Sequence, residues 1–142
     1  MNDVRPTYET QGDKDNERAI AARLGLAWNC RVVKLPRAYN LDYAALRGEA
    51  VMAWLEIKRR FRDFNEYPTC FLSMHKLLAA YQFHTVTGLQ CLFIVQFNDC
   101  LVYADILACP KVINFNGRYD RNDWQDQEPL LMIANQNFFA VC

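Results

Sequence analysis

The chain has 142 residues, 52% of them hydrophobic and 23% charged, the balance of one ordinary globular domain. A chain of this length buries about 68–70% of the surface it exposes when unfolded, so it needs neither disulfides nor a structural metal to hold a core. Its 16 basic and 16 acidic residues cancel, so the overall field favours neither nucleic acid, membrane nor an acidic partner, and any such case rests on local clustering.

Residues 1–12, with Pro6, Gly12 and several polar side chains, read as a loose arm. A helix follows from Asp13, capped by Asp13 or Asp15 and ended by Gly25, with Glu17, Ile20, Ala21 and Leu24 sharing its inward face. Three β-like runs come next, Cys30 to Leu35, Leu41 to Leu46 and Ala50 to Lys58, punctuated by Pro36 and by Arg47-Gly48, which predicts an antiparallel meander. Asn65 to Pro68 is a turn. Ser73 caps a second helix, whose Met74, Leu77, Leu78, Tyr81 and Thr85 keep helical spacing and which Gly88 stops. Leu89 to Phe97 and Cys100 to Ile106 flank Asn98-Asp99 as a hairpin. Asn114 to Asp126 is polar and turn-like around Trp124, and Leu130 to Val141 is a candidate final strand. The expected architecture is one α/β domain over residues 1–142, with a mixed central sheet flanked by helices, a core over about 13–106 and a C-terminal extension over 107–142.

Polar residues interrupt the longest uncharged stretch, Leu77 to Asn98, so no membrane span is expected. The N-terminus lacks the apolar region of a secretory signal and Val141-Cys142 closes no prenylation box, so a cytoplasmic address is expected. Cys30, Cys70, Cys91, Cys100, Cys109 and Cys142 form no CxxC pair and sit within or beside apolar runs; they read as free, mostly buried thiols. With His75 and His84 far apart, neither a zinc site nor a cysteine nucleophile is favoured. Asp120, Asp123, Asp126 and Glu128 lack the spacing and the glycine of an EF-hand and read as a solvated loop. Phe93, Phe97, Tyr103, Phe138 and Phe139 read as core or as a subunit contact.

Chemistry concentrates in the third strand. Side chains alternate along a strand, so Met52, Trp54, Glu56 and Lys58 point to one face. A carboxylate and an ammonium two residues apart can hold a divalent metal and a polarised water side by side. A hairpin through Arg47-Gly48 lays Asp42 beside that strand as a second hard oxygen ligand. The carbonyl of Ile57 and substrate phosphate oxygens would extend the shell around magnesium, and Glu17 is the candidate third carboxylate. Each piece has an ordinary alternative: a surface ion pair for Glu56 and Lys58, a turn residue for Asp42, a helix-start acid for Glu17.

In this order and on these elements, Glu17, Asp42 and Glu56-Ile57-Lys58 resemble the PD-(D/E)XK nuclease superfamily, which has a restriction-endonuclease-like αβββαβ core with a helix Glu, a second-strand Asp and a third-strand Glu-x-Lys. The resemblance spans about Asp13 to Ile106 and looks nearest to the Holliday-junction-resolvase-like and VRR-NUC branches. Leu41 stands where the motif has proline, and the tail after Ile106 is unmatched. The resemblance implies a nuclease that uses magnesium, with manganese as a substitute, to hydrolyse DNA phosphodiester bonds, as an endonuclease on structured or branched DNA and as a homodimer. It implies that Asp42 and Glu56 bind the metal, that Lys58 orients the water or stabilises developing charge, and that Glu17 helps through a second metal or a bridging water. The other reading is a catalytically inactive member of the fold that binds nucleic acid or protein.

Lys58-Arg59-Arg60-Phe61-Arg62 puts four cations around one aromatic. With Lys76 of the second helix, Arg59, Arg60 and Arg62 are candidates to grip a phosphodiester backbone; a solvated strand end is the alternative.

Overall fold

The computed structural model describes residues 11–117 and 127–141. The residues before Gln11 assigned to the arm, with Asp120, Asp123, Trp124, Asp126 and Cys142, lie outside the described residues. In chain order the elements are α1 (Gln11–Trp28), β1 (Arg31–Lys34), β2 (Tyr43–Arg47), β3 (Ala50–Arg59), β4 (Thr69–Ser73), α2 (Met74–Thr87), β5 (Gln90–Gln96), β6 (Leu101–Asp105), β7 (Ile113–Gly117), β8 (Gln127–Ala134) and β9 (Phe139–Ala140).

The main sheet runs β1-β2-β3-β5-β6-β9. Its first three strands are the expected antiparallel meander, with Lys34 opposite Tyr43 and Tyr43 opposite Leu55. The chain then crosses over through α2 so that β5 lies parallel to β3, Glu56 beside Phe93, which makes the sheet mixed. Strand alternation divides the core between the two faces. Leu55 and Ile57 pack with Ile20, Leu24, Tyr43 and Ile94 on the side of α1; Phe93 and Val95 pack with Leu77 and Ala80 on the side of α2.

Helix α1 differs from expectation at both ends. Gln11 and Gly12 are helical rather than part of an arm, and Gly25 lies inside the helix instead of ending it. The stop is Asn29, left-handed at φ 51°, followed by Cys30 whose N–H donates to the Gly25 carbonyl at 3.1 Å. Gly25 serves close approach: a Cβ there would stand 2.9 Å from the Cys30 carbonyl oxygen. Helix α2 ends as expected at Gly88, φ 73°, and Ser73 holds the N-cap position without making a side-chain cap bond.

Two further strands appear. β4 lies between the expected turn and the Ser73 cap, where no element was expected, and β7 falls mostly on residues expected to be irregular; β8 pairs with both in a second sheet ordered β4-β8-β7. The single final strand expected over Leu130 to Val141 is two. A 3-10 turn over Asn135–Asn137 separates β8 from β9, and β9 returns to the main sheet beside β6. The Asn135 amide fastens that turn, donating to the Tyr67 carbonyl at 2.8 Å. The C-terminal segment therefore supplies core: Leu131, Ile133 and Phe138 join Phe93 and Phe97 in one cluster.

Cys70, Cys91 and Cys109 are buried free thiols, and burial, with Asp105 nearby, pushes Cys91 up to about 11. Among the described residues no helix is long and apolar enough to cross a membrane.

Candidate active site

Asp42 sits one residue before β2, held between two strands: its carbonyl accepts from the Leu35 N–H at 2.8 Å and its N–H donates to the Leu55 carbonyl at 3.2 Å. Tyr43 packs on the α1 face, so alternation sends Asp42 to the opposite face, the one that Glu56 shares. Lys76, in the first turn of α2, lies over that face. Its Nζ is 3.4 Å from Asp42 Oδ1 and 3.1 Å from Glu56 Oε1. Local sequence explains part of the convergence: the β2–β3 hairpin turns at Gly48, φ 59°, and brings the carboxylates alongside, while the packing of α2 on the sheet, through Leu77 and Ala80, carries Lys76 over them.

Glu56 is 1% exposed, the one buried charged residue among those described, and its Oε2 has no hydrogen-bond partner among them. Burial is the main force on this carboxyl and pushes it up to about 8; Asp42 adds to the rise, while Lys76 and Lys58 pull against it. For Lys76, burial opposes the charge, but the attraction of Glu56 and Asp42 outweighs it and shifts the ammonium upward. Lys58 is half-buried on the Glu56 face and near enough to act on its titration. The Leu55 carbonyl points toward the start of β2, and carbonyls two apart along a strand aim alike, so that of Ile57 points past the end of the β2 pairing.

Glu17 stands apart. Its Oε2 accepts from Lys34 Nζ at 3.2 Å and from the Tyr43 hydroxyl at 3.3 Å, on the α1 side of the sheet. No group of three or more His, Cys, Asp and Glu side chains is gathered as a metal cluster among the described residues. Asp42 and Glu56 by themselves fit a hard divalent cation: two carboxylates share one face, one buried oxygen is without a partner, and a side-chain cation already stands between them.

The arginines of the basic run act largely as braces. Arg59 donates to the Gln96 carbonyl at 3.1 Å and to Asn98 Oδ1 at 2.8 Å, and stacks over Phe61. Arg60 lies over the Phe71 ring and reaches the Phe71 carbonyl at 3.3 Å. Arg62 donates to the carbonyls of Asp63, Phe64 and Thr69 at 3.1–3.2 Å, closing the loop between β3 and β4. Lys76, grouped with them in the sequence, belongs with the carboxylates. Its sequence signal was a basic residue in a first helical turn, where a lysine is equally at home on the surface, at a position where the nucleases this chain resembles often have a basic or amide residue. Glu128, grouped with the acidic loop, is in β8 and accepts a hydrogen bond from the Ser73 hydroxyl.

No curated protein matches this chain. Among solved structures it is similar to Hjc, a Holliday junction resolvase from the archaeal hyperthermophile Archaeoglobus fulgidus, with TM-score 0.64 and 12% identity over 92% of this chain and 93% of that one. At that identity the likeness establishes a shared fold. The family described as "Phage putative PDDEXK endonuclease" matches residues 3–141, nearly the whole chain, including Asp42 and the Glu56-Ile57-Lys58 strand end. The chain belongs to this phage PDDEXK endonuclease family.

Proposed function

We propose that this protein is a divalent-metal-dependent endonuclease that hydrolyses DNA phosphodiester bonds, with magnesium as the working ion, manganese as a substitute, and branched or structured DNA as substrate. The observation that carries the reading is the convergence of Asp42 and Glu56 on one ammonium, with a buried Glu56 oxygen left over. In this reading Asp42, Glu56 and the Ile57 carbonyl hold the metal, which when bound would neutralise phosphate charge and lower the pKa of a coordinated water.

The chain's own groups do the rest. Ionised Glu56 supplies the negative charge that the cation needs, and its burial keeps bulk water from screening that charge. Lys58, on the same face, orients the attacking water or stabilises charge developing on the phosphate. Lys76 keeps the two carboxylates together before the metal arrives. Glu17, bound to Lys34 and Tyr43, fixes the neighbouring end of β1 and β2 rather than joining the pair. A homodimer is supported by Val112, Ile113 and Phe115, apolar and exposed at and beside edge strand β7, and sedimentation tests it.

The test is cleavage of linear duplex, single strand, flap and four-way junction with magnesium, manganese or chelator, using Lys58→Ala as control. The solved neighbour's description as a Holliday junction resolvase puts the four-way junction first. Metal-dependent incision that fails in Lys58→Ala supports the reading; tight DNA binding without incision under any metal would favour the non-catalytic one.

A further inference from the structure

The arginines that looked best placed to grip DNA are half-buried and bonded to backbone carbonyls, yet five cations elsewhere are exposed and share one groove. It has a volume of about 1090 Å³ and lies between α1 and the β1–β2 edge of the main sheet. Lys14 and Arg18 form one wall, i and i+4 on the same side of α1. Arg31 and Lys34 of β1 and Arg47 of β2 form the other. Glu17 is the single carboxylate among the described lining residues, so the groove carries a formal charge of +5 − 1 = +4 in a chain whose total is zero.

Lys34 is paired with Glu17 at 3.2 Å and lies over the Tyr43 ring, but the other four charges are little spent internally. The Arg18–Asp15 pair is 3.8 Å apart with side chains 74% and 62% exposed, the kind of contact that contributes little. Arg31 and Arg47 use one arm each on a backbone carbonyl, of Gly48 at 3.4 Å and Trp28 at 3.1 Å, which fixes the guanidinium while leaving its other donors. The groove lies on the α1 face and ends at Lys34 and Tyr43, beside the segment where the Leu35 N–H meets the Asp42 carbonyl; the carboxylate pair lies at that same end of the sheet on the opposite face, so one phosphodiester backbone reaches both by passing over the edge strand β1.

We infer that this groove binds the phosphodiester backbone of the nucleic acid whose scissile linkage is presented to Asp42 and Glu56. The inference rests on the proposed nuclease reading and adds to it the surface that carries affinity. Contacts there are to phosphate, so they hold the duplex in place without reading sequence.

The experiment measures binding of a fluorescein-labelled duplex by anisotropy, in chelator to prevent cleavage, over a series of salt concentrations. The full chain is compared with the double variant Lys14→Glu/Arg18→Glu, with Arg31→Gln, and with Lys111→Glu, whose ammonium lies outside the groove on the Leu107 carbonyl. The double variant is expected to weaken binding about tenfold or more and, having lost two phosphate contacts, to flatten the slope of log affinity against log salt by about 1.8; Arg31→Gln flattens it by about 0.9. Lys111→Glu leaves the slope unchanged. Folded groove variants, verified by circular dichroism, that bind with the original affinity and slope would overturn the groove alone. Equal loss in Lys111→Glu would also overturn it, by showing a response to total charge. A full chain that neither binds nor cuts DNA would overturn the nuclease reading and the groove with it.

Discussion

Lys76 Nζ stands 3.1 Å from Glu56 Oε1, inside the protein, although the two residues lie on opposite sides of a loop, a strand and a helix boundary. This ammonium is the counterion of a carboxyl that is 1% exposed, and it also reaches Asp42. The pair couples stability and ionisation at one point, where the proposed metal would bind.

Glu56→Gln and Asp42→Asn keep the volume of the side chain and remove its charge. Each is expected to reduce metal-dependent cleavage by a factor of 100 or more, with circular dichroism and elution volume unchanged. Turnover at the original rate in either variant would remove that residue from the site.

The Glu56 carboxyl titrates at about 8 in the fold against an ordinary 4.5. The folded state holds this proton more tightly than the unfolded chain, so the stability it confers is fully present below about 4.5 and is lost as pH rises through about 8. Urea unfolding in chelator at pH 5 and pH 8 should show the loss in the natural protein and a smaller one in Glu56→Gln. Metal affinity should rise over the same window, because the cation needs the ionised carboxylate.

Lys76→Met removes the internal cation and leaves two carboxylates facing one another. Loss of one partner from a buried pair costs on the order of 3–5 kcal/mol, so the melting temperature in chelator should fall by about 10 °C or more. Manganese should then raise it by more than it raises that of the natural protein, since the ion no longer competes with an ammonium. Identical metal-induced shifts in the two proteins would mean that Lys76 does not occupy the metal's position.

Arg62→Ala withdraws donors from two carbonyls of the loop between β3 and β4 and from that of Thr69 at the start of β4, as well as cation–π contacts with Tyr67 and Phe97. It is expected to destabilise the fold by about 1–3 kcal/mol while leaving the salt dependence of DNA binding unchanged. A flattened salt slope in a fully stable variant would instead give Arg62 to the nucleic acid.

What could be read along the chain was whatever repeats over a few residues. Period-two alternation in Ala50–Lys58 put Glu56 and Lys58 on one face, the Gly48 turn set Asp42 beside them, and Gly88 marked the end of α2. Two signals misled for local reasons. Gly25 resembles a helix stop but is required by a carbonyl packed 2.9 Å from where its Cβ would be, and Asn29 supplies the stop in its place. β7, with alternating Ile113, Asn114 and Phe115, has too little apolar content to declare itself and becomes a strand by pairing with β8.

The tertiary structure alone decided which charges meet. Lys76 reaches the carboxylates, Glu17 turns to Lys34 and Tyr43, the arginines after β3 close a loop, and cations from α1, β1 and β2 line one groove. These outcomes depend on the rotation of helices against a sheet and on pairings between distant segments, which are fixed by burial across the whole core. Short-range spacing determines the face on which a side chain leaves its own element; only the packing of that element against others determines the partner it finds there.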